Sequence, residues 1–464
     1  MSDATTVSDP VDLTSPQRIH IIGVGGAGMS AIGQVLLAMG HTVSGSDLKA
    51  SPGLARLEAL GATVFVGHDP SQLGDAEIVM ISTAIPERNN ELSTARENGL
   101  RVLRRREALA AIAAQRNTVA VAGTHGKTTT SSMLALILRA AELDPSFIIG
   151  GDVNEIGTGA AWADGESFVV EADESDGTFL ELPRAMAVVT NIEADHIEHY
   201  GGFEELLDAF AQFFEGTDGP IVVCADDPVA NELGAKHDAV SYGLAESADY
   251  RMVEVEGSRA GVGFDLVHQG QRLGRIELPV AGVHNASNAA AAVVASLLLG
   301  ADFSAAAAAM AQYGGVARRF EMRGEVDGIT FIDDYAHLPS EVEAALQAAS
   351  DGAWNRVVCV FQPHRYSRTA SLWQTFGESF DQADLLVVTD IYSAGETPRP
   401  GVSGKLIVDA VLGVRPHRRL AYMPHHQELV EYLAGELTEG DLCLTLGAGD
   451  LTDLPDELLA RCSP

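Results

Sequence analysis

Lysine is scarce in this 464-residue chain, occurring only at Lys49, Lys127, Lys236 and Lys405. Basic residues as a whole are few, with 30 Lys+Arg against 65 Asp+Glu and a formal charge of -35. A surface so acidic repels a nucleic-acid backbone or an anionic membrane, which argues against nucleic acid as a partner. Any anionic ligand must therefore be held by a local concentration of positive charge. Cysteine is scarce too: Cys224, Cys359, Cys443 and Cys462 lie far apart, the first three inside apolar runs such as Val357-Val358-Cys359-Val360-Phe361. That pattern speaks against a zinc cluster or a disulfide framework and predicts reduced, buried thiols. No long hydrophobic run is present, and the longest, Ala289 to Leu299, falls short of the ~20 residues a membrane span needs. Met1 to Gln17 are polar and acidic, with neither a basic start nor an apolar run, and read as a loose tail. These absences together predict a cytoplasmic chain without membrane insertion.

What is present fits a globular enzyme. With 46% apolar and 20% charged residues the chain can build cores, and at about 150 residues per domain its length suggests roughly three of them. Short β-branched runs alternate with helical stretches from Arg18 to Arg116, again from Thr118 to Cys224, and again from Ile329 to Leu446. Such alternation implies mostly parallel sheets, so the fold class is α/β. Between Tyr250 and Val283 shorter alternating runs with turn residues predict a small antiparallel patch. The expected boundaries are a tail at 1–17 and domains at 18–115, 116–316 and 317–464.

One of the four lysines stands in a glycine-rich loop. Gly123-Thr124-His125-Gly126-Lys127-Thr128-Thr129 follows the apolar run Thr118 to Ala122 and precedes the helical run Ser131 to Ala140. Backbone amides and a helix N-terminus there cradle phosphates, the lysine reaches the terminal ones, and the threonine hydroxyl can hold Mg2+. Val121 stands where the general form of this loop has its first glycine. Gly23-Val24-Gly25-Gly26-Ala27-Gly28 likewise follows a strand and opens a helix, with Asp47 after the next strand. This spacing supports a nest for a diphosphate and an acidic residue for a ribose; NAD is one molecule of that shape, which keeps an NAD-dependent dehydrogenase in view. Glu171 to Asp176 and Thr190 to His196 each end a predicted strand, where α/β sheets place ligands and where carboxylates, an amide and an imidazole could serve Mg2+ and phosphate. Arg318-Arg319-Phe320-Glu321 and the stretch Phe361 to Arg368 gather positive charge suited to anions.

Taken in order, these motifs, with His284-Asn285-x-x-Asn288, Asp333 to His337 and Gly447-Ala448-Gly449-Asp450, resemble the Mur ligases of peptidoglycan synthesis over nearly the whole chain. The resemblance implies an N-terminal Rossmann-like domain that binds UDP, a central P-loop ATPase-type domain and a C-terminal Rossmann-like domain that receives the amino acid. It implies phosphorylation of the lactyl carboxylate of UDP-N-acetylmuramate by ATP and attack of an amine on the acyl phosphate. Residues from all three domains are then expected to meet around one γ-phosphate. The UDP-sugar would lie on Gly25, Gly26, Ala27, Gly28, Met29, Asp47 and Ser82. ATP would lie on the Gly123–Thr129 loop, Asn288, Arg319 and Asp334, with Lys127, Glu171, Asn191 and His196 at the reacting centre. Mg2+, replaceable by Mn2+, would sit on Thr128, Glu171 and His196, with Glu174 the alternative to Glu171. Tyr335, His337, Arg365 and Arg368 would face the amino acid and the carboxylate. Two departures matter: Leu338 replaces the second of a usual histidine pair, and no lysine lies between Lys127 and Lys236. The second departure favours the branch that adds L-alanine, because the sister enzymes for later residues use a carbamoylated lysine there. A related ligase attaching a whole tripeptide to the same sugar nucleotide is the alternative. Monomer and homodimer both remain open.

Overall fold

A computed structural model describes residues 11–175, 177–195, 197–258, 260–350, 352 and 354–462. The first sheet holds five parallel strands, Arg18–Ile22 (β1), Thr42–Asp47 (β2), Thr63–Val66 (β3), Ile78–Ile81 (β4) and Arg101–Arg104 (β5), in the order β3-β2-β1-β4-β5. Strand β1 has partners added outward on both of its sides, so the chain direction reverses there. The crevice at its C-terminal end is where such sheets bind ligands, and Gly23 to Gly28 follow immediately.

The second sheet repeats the device. It is built from Asn117–Ala122 (β6), Ser146–Val153 (β7), Thr158–Ala161 (β8), Ser167–Glu171 (β9), Met186–Val189 (β10), Ile221–Cys224 (β11) and Val240–Gly243 (β12), in the order β12-β11-β10-β6-β9-β7-β8. Strand β6 lies between β9 and β10, parallel to both, and is buried from Thr118 to Ala122. Its end is again the point of reversal, and the loop from Gly123 begins there. The run predicted as an antiparallel patch forms Tyr250–Ser258 (β13), Gly261–His268 (β14) and Gln271–Leu278 (β15), adjacent in the order β15-β14-β13, with β13 joining β12 in parallel through Tyr242 and Tyr250. Alternation in the sequence had not marked β7 and β8, which form an antiparallel pair with a register shift between Ile148 and Val153.

The third sheet orders Glu321–Val326 (β16), Ile329–Asp334 (β17), Arg356–Phe361 (β18), Leu385–Val388 (β19), Leu420–Tyr422 (β20) and Asp441–Leu446 (β21) as β16-β17-β21-β18-β19-β20. Only β16 runs antiparallel, at the edge. The ends of β17, β21 and β18 are therefore neighbours, which gathers Asp333 to His337, Gly447 to Asp450 and Gln362 to Arg368 along one edge. Cys359 and Cys443 are fully buried on β18 and β21, and Cys224 is buried on β11, as core thiols should be.

By its contacts the chain forms two compact units. One runs to Met252 and includes Val267–Gln271 and Asn288–Ala309; the other comprises Val253–Leu266, Arg272–Ser287 and the residues from Met310 onward. A core of Ile21, Val35, Leu109, Phe168, Phe210 and Val223 among others fills the first unit. Cores on the two faces of the third sheet, around Phe361 and Leu444 and around Phe331 and Val358, fill the second. Among the described residues no helix is long and apolar enough to cross a membrane.

Candidate active site

In the first unit the Gly123–Thr129 loop is shaped by two glycines whose positions leave no room for a side chain. Gly123 has φ +125° and a β-carbon there would lie 2.2 Å from Thr190 Oγ1; Gly126 has φ +82° and would bring one 2.4 Å from Asn288 Oδ1. The end of β10 holds the loop from the side. Asn191 accepts from the His125 amide at 2.8 Å through its side-chain oxygen and donates to the His125 carbonyl at 3.2 Å, while Thr124 Oγ1 accepts from the Glu193 amide at 2.8 Å. Asn191, expected at the reacting centre, thus grips the loop backbone. Asn288 reaches the same loop and accepts from Thr130 Oγ1 at 3.3 Å. The helix Lys127–Ala140 starts directly at the loop with Gly126 as its N-cap and Thr128 buried in its first turn, so unpaired amides and the positive end of a helix dipole converge there.

Lys127 is folded back onto its own loop. Its ammonium donates to the Gly123 carbonyl at 2.7 Å and contacts both oxygens of Glu174 at 2.9 and 3.0 Å. Burial pushes the ammonium's pKa down, and the charges of Glu174, Asp173 and Glu171 more than reverse this, so it is raised above its ordinary value. Glu174 is buried and committed to the lysine. Glu171, at the end of β9, instead accepts from the Gly150 amide at 2.6 Å and faces a cavity. The two acids that sequence left as alternatives therefore have different surroundings. His196 lies outside the described residues. Among the described residues no group of three or more His, Cys, Asp or Glu side chains is arranged to hold a metal.

That cavity, about 560 Å³, is lined by Gly25, Ala27 and Gly28 on one side and by Glu171 and Asp173 on the other, with Arg105 contributing positive charge and Arg56 paired with Asp152. Arg105 packs against Gly28, where a β-carbon would lie 3.0 Å from its Nε. Sequence reasoning passed over Arg105, although the triplet Arg104-Arg105-Arg106 in so acidic a chain was a usable signal. Asp47 does not line the cavity; its Oδ2 accepts from the Gly25 amide at 2.9 Å and so pins the glycine turn. Ser82 sits beside Gly23, and Met29 is buried in the core.

The second unit carries its own cluster. Asp334, at the end of β17, accepts from the amides of Phe320 and Ala336, each at 2.7 Å, and so ties the Arg318–Phe320 turn to the strand. Burial pushes its pKa up to about 6 against the pull of Arg319. The guanidiniums of Arg318 and Arg319 lie 4.9 and 5.1 Å from the centre of the Tyr335 ring. His337 Nδ1 lies 3.0 Å from the Tyr335 carbonyl and 3.2 Å from Glu341, and its ring packs 5.4 Å from His364. Arg365, exposed and with φ +66°, opens the helix Tyr366–Leu372, and one turn on Arg368 contacts His364 Nδ1 at 3.1 Å. Burial, with His337 and both arginines adding to it, pushes the pKa of His364 down to about 3, so a neutral ring stands among the cations. Leu338, in the place of a histidine, is simply buried.

Three family profiles match in succession: the Mur ligase family catalytic domain over residues 18–117, the Mur ligase middle domain over 121–296, and the Mur ligase glutamate ligase domain over 318–449. The UDP-N-acetylmuramate–L-alanine ligase of Pelotomaculum thermopropionicum is 46% identical over 452 residues, covering 96% of this chain and 97% of its own. That of Rubrobacter xylanophilus is 46% identical over 451 residues, covering 96% and 100%. Among solved structures, the UDP-N-acetylmuramate-alanine ligase MurC of Thermotoga maritima superposes with a TM-score of 0.80 at 29% identity, covering 96% of this chain and 99% of that one. A murein peptide ligase from Psychrobacter arcticus shares the fold with a TM-score of 0.69 at 22% identity, covering 96% and 98%.

Proposed function

The chain belongs to the Mur ligase family, and from that premise we propose that it joins L-alanine to the lactyl carboxylate of UDP-N-acetylmuramate at the expense of ATP, in peptidoglycan precursor synthesis. The observation that carries this choice is the alignment of alanine ligases over 96% of the chain at 46% identity, nearly the whole of each relative included. A dehydrogenase would leave the Gly123–Thr129 loop without a use.

In this reading the Gly123–Thr129 loop and the first turn of its helix take the ATP phosphates, with Asn288, Arg319 and Asp334 assigned to the nucleotide. Lys127 exchanges its contact with Glu174 for the phosphates and offsets the charge that develops as the γ-phosphoryl group moves. A lactyl carboxylate oxygen takes that group, ADP leaves, and the alanine nitrogen, its ammonium having given one proton to solvent, attacks the acyl carbon, expels phosphate and releases a second proton as the amide forms. Gly25, Gly26, Ala27 and Gly28 receive the UDP-sugar, with Arg105 set to meet its diphosphate. Tyr335, His337, Arg365 and Arg368 are assigned to alanine and the reacting carboxylate.

The hydroxyl of Thr128 and the carboxylate of Glu171 are hard oxygen donors of the kind Mg2+ or Mn2+ prefers, and they fit the ion in character; bound there it would lower the negative charge of the phosphates. We place the enzyme in the cytoplasm, because that is where ATP and nucleotide sugars are made; monomer and homodimer are both compatible with the chemistry. The assay is phosphate release with Mg-ATP and UDP-N-acetylmuramate plus L-alanine, L-serine, glycine or a tripeptide. Release that depends on L-alanine is expected. Release with the tripeptide alone would move the chain to the recycling branch.

A further inference from the structure

Behind the glycine-rich turn of the first sheet lies a buried polar cluster that the chemistry above does not use. Glu91, in the first turn of the helix Asn90–Glu97, is fully buried. Its Oε2 accepts from Ser46 Oγ at 2.6 Å and lies 2.8 Å from His68 Nδ1, and its Oε1 lies 3.5 Å from His20 Nε2. In the orientation that satisfies its neighbours, the Gln72 amide nitrogen donates to Glu91 Oε1 at 2.8 Å and to the Gly67 carbonyl at 3.1 Å. Burial pushes the Glu91 carboxyl pKa up, and the nearby His20 ring together with the hydrogen bonds to Ser46 and His68 outweighs it and holds the group below the usual range.

A buried carboxylate costs several kcal/mol in desolvation, and well-packed apolar side chains would serve stability as well. What distinguishes this one is the set of backbone segments it joins. The carbonyl of Ser46 accepts from the amides of Gly23 at 2.8 Å and Val24 at 3.1 Å, so the turn hangs from that residue. The next residue, Asp47, pins the Gly25 amide with its side chain and accepts from the Gly67 amide at 2.7 Å with its carbonyl. Gly67 directly precedes His68. Glu91 therefore grips the end of β2 through Ser46 and the loop after β3 through His68.

We propose that Glu91 is a positioning residue for the sugar-nucleotide site: by holding Ser46 and His68 together it fixes the end of β2, and through it the Gly23–Gly28 turn and Asp47, in the shape that receives a nucleoside diphosphate. The inference rests on the assignment of that turn to UDP-N-acetylmuramate. It distinguishes Glu91 from a residue that merely holds the fold, since its loss is felt by one substrate and not the other.

The test is calorimetric titration of the full-length enzyme with UDP, UDP-N-acetylmuramate and ADP, together with steady-state KM and kcat, for wild type, Glu91→Gln and Ser46→Ala. Removing a hydrogen-bonded charge is expected to weaken UDP and UDP-sugar binding about tenfold or more. ADP affinity, the KM for ATP and kcat at saturation are expected to hold within about twofold, as for a site without shared contacts. Ser46→Ala removes the hydroxyl's two hydrogen bonds, to Glu91 and with His68, but no charge, so it should fold even where Glu91→Gln does not, and should show a smaller loss in the same direction. Unchanged UDP affinity in either folded variant overturns the proposal, as do equal losses for UDP and ADP with a lowered melting temperature. Wild type that binds neither UDP nor the UDP-sugar would instead overturn the assignment of the turn, and the positioning role with it.

Discussion

At the scale of single residues, the loop lysine is held by a buried carboxylate. Removing Lys127 should act twice. Lys127→Ala is expected to lower turnover by on the order of a hundredfold or more, with UDP-sugar affinity kept. It should also destabilise the protein by about 3 to 5 kcal/mol, because Glu174 is left buried without its partner. Lys127→Ala/Glu174→Gln should recover part of that stability and none of the turnover. Denaturation midpoints beside rate measurements decide this, and a double variant no more stable than the single one would contradict it. A second pair concerns pH. Asp334 titrates at about 6 in the folded chain against 3.8 in its ordinary state, so the folded form binds more protons between these values and stability falls as pH rises through them. His284, pushed down to about 4 by burial and by the charge of Arg319, behaves oppositely: against an ordinary 6.5, stability rises with pH across its window. The two slopes offset each other in wild type. Asp334→Asn should therefore unmask a rise in the denaturation midpoint between pH 4 and 6.5, and His284→Gln a fall. Three parallel curves would refute both assignments.

At the scale of elements, the two glycine turns are alike in sequence and unlike in tolerance. A methyl at Gly126 meets Asn288 Oδ1 at 2.4 Å with φ at +82°, whereas one at Gly26 meets nothing within 4 Å. Gly126→Ala is thus expected to weaken ATP binding by about tenfold or more through strain and collision. Gly26→Ala should leave the melting temperature unchanged within the error of a thermal scan, and an equal response from both turns would contradict this. The loop could be read in sequence because strand, glycines, lysine and helix are consecutive there. The β7–β8 hairpin could not, since Gly150, Gly151, Gly157 and Gly159 break any period of two. Strand β16 was missed for a similar reason: an edge strand with Gly324 at a register shift has no buried face to alternate. The contact of Lys127 with Glu174 spans 47 positions, and the grip of Glu91 on Ser46 spans 45. Separations of that size follow from the packing of strands in space, which spacing along the chain does not encode. The arginines at Arg365 and Arg368 could be read because they follow a predicted strand end, whereas Arg105 stands in no such motif.

At the scale of the whole molecule, a charge of -35 acts on substrates that are themselves anions. Long-range repulsion should slow their approach, and salt should relieve it as the Debye length falls from about 30 Å at 0.01 M to about 10 Å at 0.1 M. Stopped-flow association rates for ATP and the UDP-sugar are expected to rise over that range. A steady fall would mean that a local positive field, such as that of Arg105, governs encounter instead. The described thiols have a further consequence. Cys224, Cys359 and Cys443 are buried, and burial pushes Cys443 up to about 12 and Cys359 higher, so in the closed sheets they are inert to alkylation. With Cys462 replaced by serine, a thiol-reactive dye becomes a counter of sheet opening: its uptake in native buffer measures how often β11, β18 and β21 are exposed, without any denaturant being added.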